Sequence, residues 1–257
     1  MATRLYFHAA AFDTGSFPGN YPDSDGDVQL VIANPQPSFG ISGADATSVN
    51  RSMTKTKGTS QTSFAIVRSA TSSATQSSWV GKFISDPLEN IDTIDAEVWS
   101  SQTAKMEDSG NSNWAGAFLC LYVWRPSTNA KVGSSIYPAT GEGGFAEPST
   151  ANTQRLGIGN VTAGTGAQVT GVEDGDVLVL EVFFRKTTGA SSTFTDTWFY
   201  DGTTEYDGQS NQDIVTDMAA FIQTPQDLTF VTDAPPDPIA MTLEQSALIE
   251  DMGLLKV

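Results

Sequence analysis

Residues 117–124 read Ala117-Phe118-Leu119-Cys120-Leu121-Tyr122-Val123-Trp124, and residues 176–184 read Asp176-Val177-Leu178-Val179-Leu180-Glu181-Val182-Phe183-Phe184. Short apolar runs rich in β-branched and aromatic residues mark buried strands. Neither run alternates: the first is apolar throughout, and Glu181 alone interrupts the second after its opening aspartate. A β-sandwich covers only the inner face of each sheet. The outward set, Phe118, Tyr122 and Trp124 or else Leu119, Leu121 and Val123, therefore needs a second cover. Long loops of the same chain or neighbouring subunits could supply it, since apolar patches of this size mark interfaces when left open.

Outward from these two runs, further strands are expected at Arg4 to His8, Val28 to Ile32, Ser63 to Arg68, Trp79 to Ile84, Asp92 to Trp99, Thr197 to Tyr200 and Asp227 to Val231. Clusters of Gly, Asp, Ser and Asn separate them. Strands follow strands with no helical alternation, which excludes a βαβ design. The expected fold is all-β, an antiparallel jelly-roll-like sandwich over residues 1–231. Two polar segments, 33–62 and 134–168, are expected as long loops, and loops of that length are either functional or disordered. After Val231, residues 232–241 include Asp233-Ala234-Pro235-Pro236-Asp237-Pro238, a stiff spacer. Residues 242–257 follow as a short helical arm, with Thr242 as N-cap and Gln245 at the third helical position. Leu243, Leu248, Met252, Leu254 and Leu255 would dock this arm on a neighbour, or strap it back onto its own domain.

The chain has 257 residues, one cysteine and a formal net charge of −17. It is long enough to bury a core without disulfides, and a single cysteine excludes both an internal disulfide and a cysteine zinc cluster. The acidic balance disfavours nucleic acid and anionic membranes as partners. The opening Met1-Ala2-Thr3-Arg4-Leu5-Tyr6-Phe7-His8 lacks the basic and apolar regions of a signal peptide, and no apolar run is long enough for a membrane span. The expectation is a protein made soluble in a cytoplasm.

Candidate sites are few. Asp23, Asp25 and Asp27 begin like a calcium loop, but Val28 stands where that loop needs glycine and Asn34 where it needs glutamate. Asp25-Gly26 reads instead as a turn entering a strand, with an irregular calcium site as the alternative and no other cofactor expected. Asp-Gly recurs at Asp174-Gly175, Asp201-Gly202 and Asp207-Gly208, again as strand punctuation. Alternation over Ile94 to Trp99 places Asp95, Glu97 and Trp99 on one face, where the indole could stack on a sugar ring; the competing reading folds Trp99 over the rim. His8 has no nucleophilic partner in sight, because Cys120 lies in an apolar run where a thiol is inert. Neither a nucleophile elbow nor a phosphate loop is present.

Ala2-Thr3-Arg4-Leu5-Tyr6-Phe7, Asp92 to Val98, Leu121-Tyr122-Val123-Trp124-Arg125-Pro126 and Val172 to Val182 together resemble jelly-roll-like virion proteins of tailed bacteriophages. The resemblance spans roughly Ala2 to Val231. It implies a non-enzymatic structural protein of the virion, a capsid decoration or cement protein oligomeric with its neighbours. The alternatives are a tail or fibre component binding host glycans, through Trp99 or the Trp198-Tyr206 loop, and a polysaccharide hydrolase.

Overall fold

A computed structural model describes residues 2–21, 41–42, 50–68, 76–108, 114–138, 155–161, 164–186, 194–205 and 217–231. Its strands are β1 (Thr3–Ala11), β2 (Ile41–Ser42), β3 (Asn50–Thr54), β4 (Thr62–Arg68), β5 (Gln76–Ser85), β6 (Thr93–Ile94) and β7 (Ser100–Glu107). They continue as β8 (Trp114–Arg125), β9 (Ala130–Tyr137), β10 (Arg155–Asn160), β11 (Val169–Thr170), β12 (Val177–Lys186), β13 (Phe194–Tyr200) and β14 (Phe221–Thr224). The fold is all-β, as the alternation and turn residues require.

The hydrogen-bonded order is β2-β4-β13-β7-β14-β1-β3-β5-β12-β8-β9, with β10 on β7, so twelve strands form one sheet; β6 and β11 form a separate pair. A mainly antiparallel, jelly-roll-like sandwich was expected. The strands instead form one continuous sheet whose ladders are antiparallel except where β3 runs parallel to β5. β13 and β14 share one edge of β7, so the three steps β14-β1-β3-β5 separate β13 from β5, roughly 14 Å in a flat sheet. Yet the Trp198 and Phe83 rings lie 5.8 Å apart, and Phe7 is 5.7 Å from Trp198. The sheet therefore curls over its own core, as a sandwich does with two sheets.

β12 and β8 form the longest ladder, with Leu180 opposite Leu121 and Val179 opposite Tyr122. Leu119, Leu121, Val123, Leu178, Leu180 and Val182 point into the main core. Cys120, Tyr122, Trp124, Val177 and Val179 point the other way, into a second cluster with Phe12 and Ile84. Phe17 and Tyr21 close over that cluster. The second cover is thus intramolecular: residues 12–21 leave β1 and lie across the outer face of β8 and β12.

Three readings are corrected. Only Thr93–Ile94 of the 92–99 run is strand, because Asp95 and Glu97 are drawn into loop contacts. Residues 227–231 form no named strand; Phe230 makes a single bridge to Leu88, and the strand lies earlier, at β14. Inside the segments read as loops, β3, the end of β9 and β10 pair with β5, β8 and β7. Val28 to Ile32, the spacer and the helical arm lie outside the described residues.

Candidate functional site

β1 lies between β14 and β3. Its outward side chains, Arg4, Tyr6 and His8, collect a polar cluster. Tyr6 donates its hydroxyl to Glu205 Oε1, Arg4 Nη1 donates to Glu205 Oε2 at 2.6 Å, and Lys57 Nζ lies 3.2 Å from Glu205 Oε1. Burial, followed by the hydrogen bond to Glu205, pushes the Tyr6 phenol up to about 12. Burial opposes ionisation of Glu205, but the Tyr6 and Lys57 hydrogen bonds and the Arg4 charge outweigh it and hold the carboxyl below its usual range.

Two residues further along β1, His8 Nδ1 lies 3.1 Å from Asp201 Oδ1 and Nε2 lies 3.0 Å from Thr54 Oγ1. The order carboxylate, imidazole, hydroxyl is that of an acyl-transfer relay. Here, however, Thr54 Oγ1 also accepts from the Thr56 N–H and faces the Thr56 carbonyl, both at 3.2 Å, so the hydroxyl is engaged within its own turn. Asp201 accepts the Ala9 N–H at 2.8 Å as well. The trio ties the turn after β13 to β1 and β3. A cavity of about 290 Å³ opens nearby, with Leu5, Met53 and Phe230 supplying its apolar lining and Thr54, Lys55 and Asp86 its polar lining. The Lys55 ammonium lies 5.3 Å from the Phe230 ring centroid.

A second polar group is wholly interior. Lys82 on β5 and Glu181 on β12 are cross-strand partners, both 0% exposed, with Nζ 3.4 Å from Oε1. Tyr122 on β8 donates its hydroxyl to the same Oε1 at 2.8 Å. Desolvation first, and the Glu181 charge second, raise the Tyr122 phenol far above its ordinary value, so it remains a proton donor. Cys120, opposite Glu181 on β8, is a buried thiol in no disulfide. At the rim, Arg125 grips Asp176 through Nε and Nη2, each at 2.9 Å, and reaches Glu173 through Nη1 at 3.0 Å. Such paired contacts fix a guanidinium firmly.

Trp99, read either as a sugar platform beside Asp95 and Glu97 or as an aromatic folded over the rim, is 0% exposed and part of the core, while Val98 is 39% exposed. The Tyr137 hydroxyl accepts the Trp99 backbone N–H at 3.1 Å and donates to the Glu97 carbonyl at 3.0 Å. No ring face remains for a sugar. Trp198, the aromatic anchor of the alternative glycan loop, is buried too. Asp23, Asp25 and Asp27, and likewise Leu243, Leu248, Met252, Leu254 and Leu255, lie outside the described residues. Among the described residues, no group of three or more His, Cys, Asp or Glu is arranged to hold a metal ion, and no helix is long and apolar enough to cross a membrane. Sequence reasoning missed the Lys82–Glu181 pair and the His8–Asp201–Thr54 chain. Glu181 inside an apolar run was the one available signal; nothing local to His8 announces a partner 193 residues away.

No protein-family model matches the chain, and no curated protein matches it. Among solved structures it is similar to the infectious bursal disease virus Gx strain, at 12% identity and TM-score 0.24, covering 76% of this chain and 49% of that one. The infectious bursal disease virus VP2 subviral particle gives 11% identity and TM-score 0.16 over 75% and 50% of the two chains. A CocE/NonD family hydrolase from Staphylococcus aureus gives 8% identity and TM-score 0.18 over 67% and 32%. This chain thus spans about half the length of these two viral chains. At TM-scores this low, the likenesses identify neither a shared fold nor a shared role.

Proposed function

We propose that this chain is a non-enzymatic structural component of a virus particle of the tailed-phage type, a capsid decoration or cement protein that binds its neighbours and copies of itself. The observation that supports the reading is how the acidic side chains are used. Asp13, Asp108, Asp174, Asp176, Asp201 and Asp217 each accept a backbone N–H at a turn or strand end, at 2.6–2.9 Å in their shortest contacts. Carboxylates spent on holding the chain make a stiff body rather than a reactive cleft. Its most apolar strands are already covered from within, leaving the arm at 242–257 as the element for neighbours.

Size exclusion with light scattering on the intact chain tests this. A discrete oligomer is expected, shifted toward monomer by Leu248→Ala. A wild-type chain that stays monomeric at every concentration, together with saturable binding on a glycan array, would replace the reading with a tail or fibre adhesin. Release of reducing ends from a capsular polysaccharide would replace it with a hydrolase.

A further inference from the structure

We propose that Lys82 and Glu181 become joined by an isopeptide bond between Nζ and Cδ, a covalent cross-link from β5 to β12 made by the folded chain itself. The two residues are direct cross-strand partners with no solvent exposure, and the amine nitrogen is 3.4 Å from a carboxyl oxygen whose carbon lies one bond beyond. Reacting groups held in near contact gain effective molarities of about 10⁵–10⁸ M. Ile84 and Val179, two residues along each strand, are buried on the same face, while Cys120 stands opposite Glu181 and Asn50 opposite Lys82. Charges in such surroundings are costly, and a neutral amide removes both.

The chemistry needs no other component. The Lys82 ammonium passes a proton to the Glu181 carboxylate, leaving an amine and a carboxylic acid. The Nζ lone pair attacks Cδ and forms the N–C bond. Tyr122, whose hydroxyl already sits 2.8 Å from Oε1, stabilises the negative charge that develops on that oxygen, as a preorganised donor should. The Cδ–Oε2 bond then breaks, and the departing hydroxyl takes a proton from nitrogen and leaves as water. Amine plus acid gives amide plus water, with no change of oxidation state.

The test is the intact mass of the full chain, purified alone and denatured, followed by a tryptic map. The expected mass is one water below that of the sequence, with no cleavage after Lys82 and one branched peptide carrying both Lys82 and Glu181. Succinimides at Asp25-Gly26, Asp174-Gly175, Asp201-Gly202 or Asp207-Gly208 would lose the same water. They open in hydroxylamine, and an isopeptide does not. Lys82→Met should restore the full mass, and Tyr122→Phe should slow cross-linking after refolding by about 100-fold. Full sequence mass with normal cleavage at Lys82 in the wild-type protein overturns the proposal, whether or not the variants fold. So does a water loss that hydroxylamine abolishes.

Discussion

Asp201 occupies the left-handed region at φ +62° while its carboxylate receives the Ala9 N–H and faces His8. Asp tolerates that backbone better than most residues because its side chain bonds locally. Asp201→Ala loses the acceptor for a half-buried strand donor and leaves His8 held by Thr54 alone. It should cost about 2–3 kcal/mol, read as a lower urea midpoint with an unchanged slope. Tyr6 makes a pH-dependent contribution. With its folded pKa raised from 10.0 to about 12, the native state holds the phenolic proton where the unfolded chain has released it. This contribution is therefore intact below pH 10 and lost as pH rises toward 12. Tyr6→Phe should lower stability at neutral pH but flatten its decline across that interval, as urea midpoints taken at several pH values would show.

At the scale of elements, β7 explains what hydropathy cannot find. Ser101, Gln102, Thr103 and Lys105 are all buried, because β7 carries β10 on one side and β14 then β13 on the other. Gln102 Nε2 donates to the Ala219 carbonyl at 2.7 Å, so one of these polar groups replaces a strand partner just before β14 begins. By contrast, β8 and β12 were plain from their composition, and so was the need to cover both faces. What covers them was not plain, since Phe12, Phe17 and Tyr21 are too widely spaced to read as an element. Phe12 stacks on Phe17 at 6.0 Å and meets Tyr21 edge-on at 4.8 Å. Phe12→Ala should cost about 3 kcal/mol and should speed hydrogen exchange in residues 12–21 while β8 and β12 stay protected. Uniform deprotection would show that the segment is not a separate cover. The turns were legible: Asp174-Gly175 forms a turn into β12 with Gly175 at φ +92°. At Asp201-Gly202 the aspartate takes the positive φ, and Gly202 is needed because a Cβ there would lie 2.3 Å from the Met218 carbonyl oxygen.

At the scale of the whole molecule, β1 closes against β14 at the far end of the described chain, with Arg4 Nε donating to Gln223 across 219 residues at 2.7 Å. The central strand of the sheet is thus completed by its last partner, and the body cannot close until nearly all of it has been made. A net charge of −17 works against that closure through self-repulsion. Salt shortens the reach of such repulsion, to about 10 Å at 0.1 M. Raising sodium chloride should therefore raise the thermal midpoint, and an unchanged or lower midpoint would mean that the carboxylates are neutralised locally by the bonds they accept.

Period, composition and turn residues by themselves determined that this chain is all-β, where its two richest strands lie, and that both of their faces must be covered. These are local quantities: a strand's burial is written in its own side chains, and a turn's backbone in its own glycine or aspartate. Tertiary structure alone decided that Trp99 turns inward, that the polar β7 is central, that residues 12–21 form the second cover, and that His8 meets Asp201 and Lys82 meets Glu181. Each of these depends on which distant strand becomes a neighbour. That choice is made by the packing of the whole sheet, and no single segment records it.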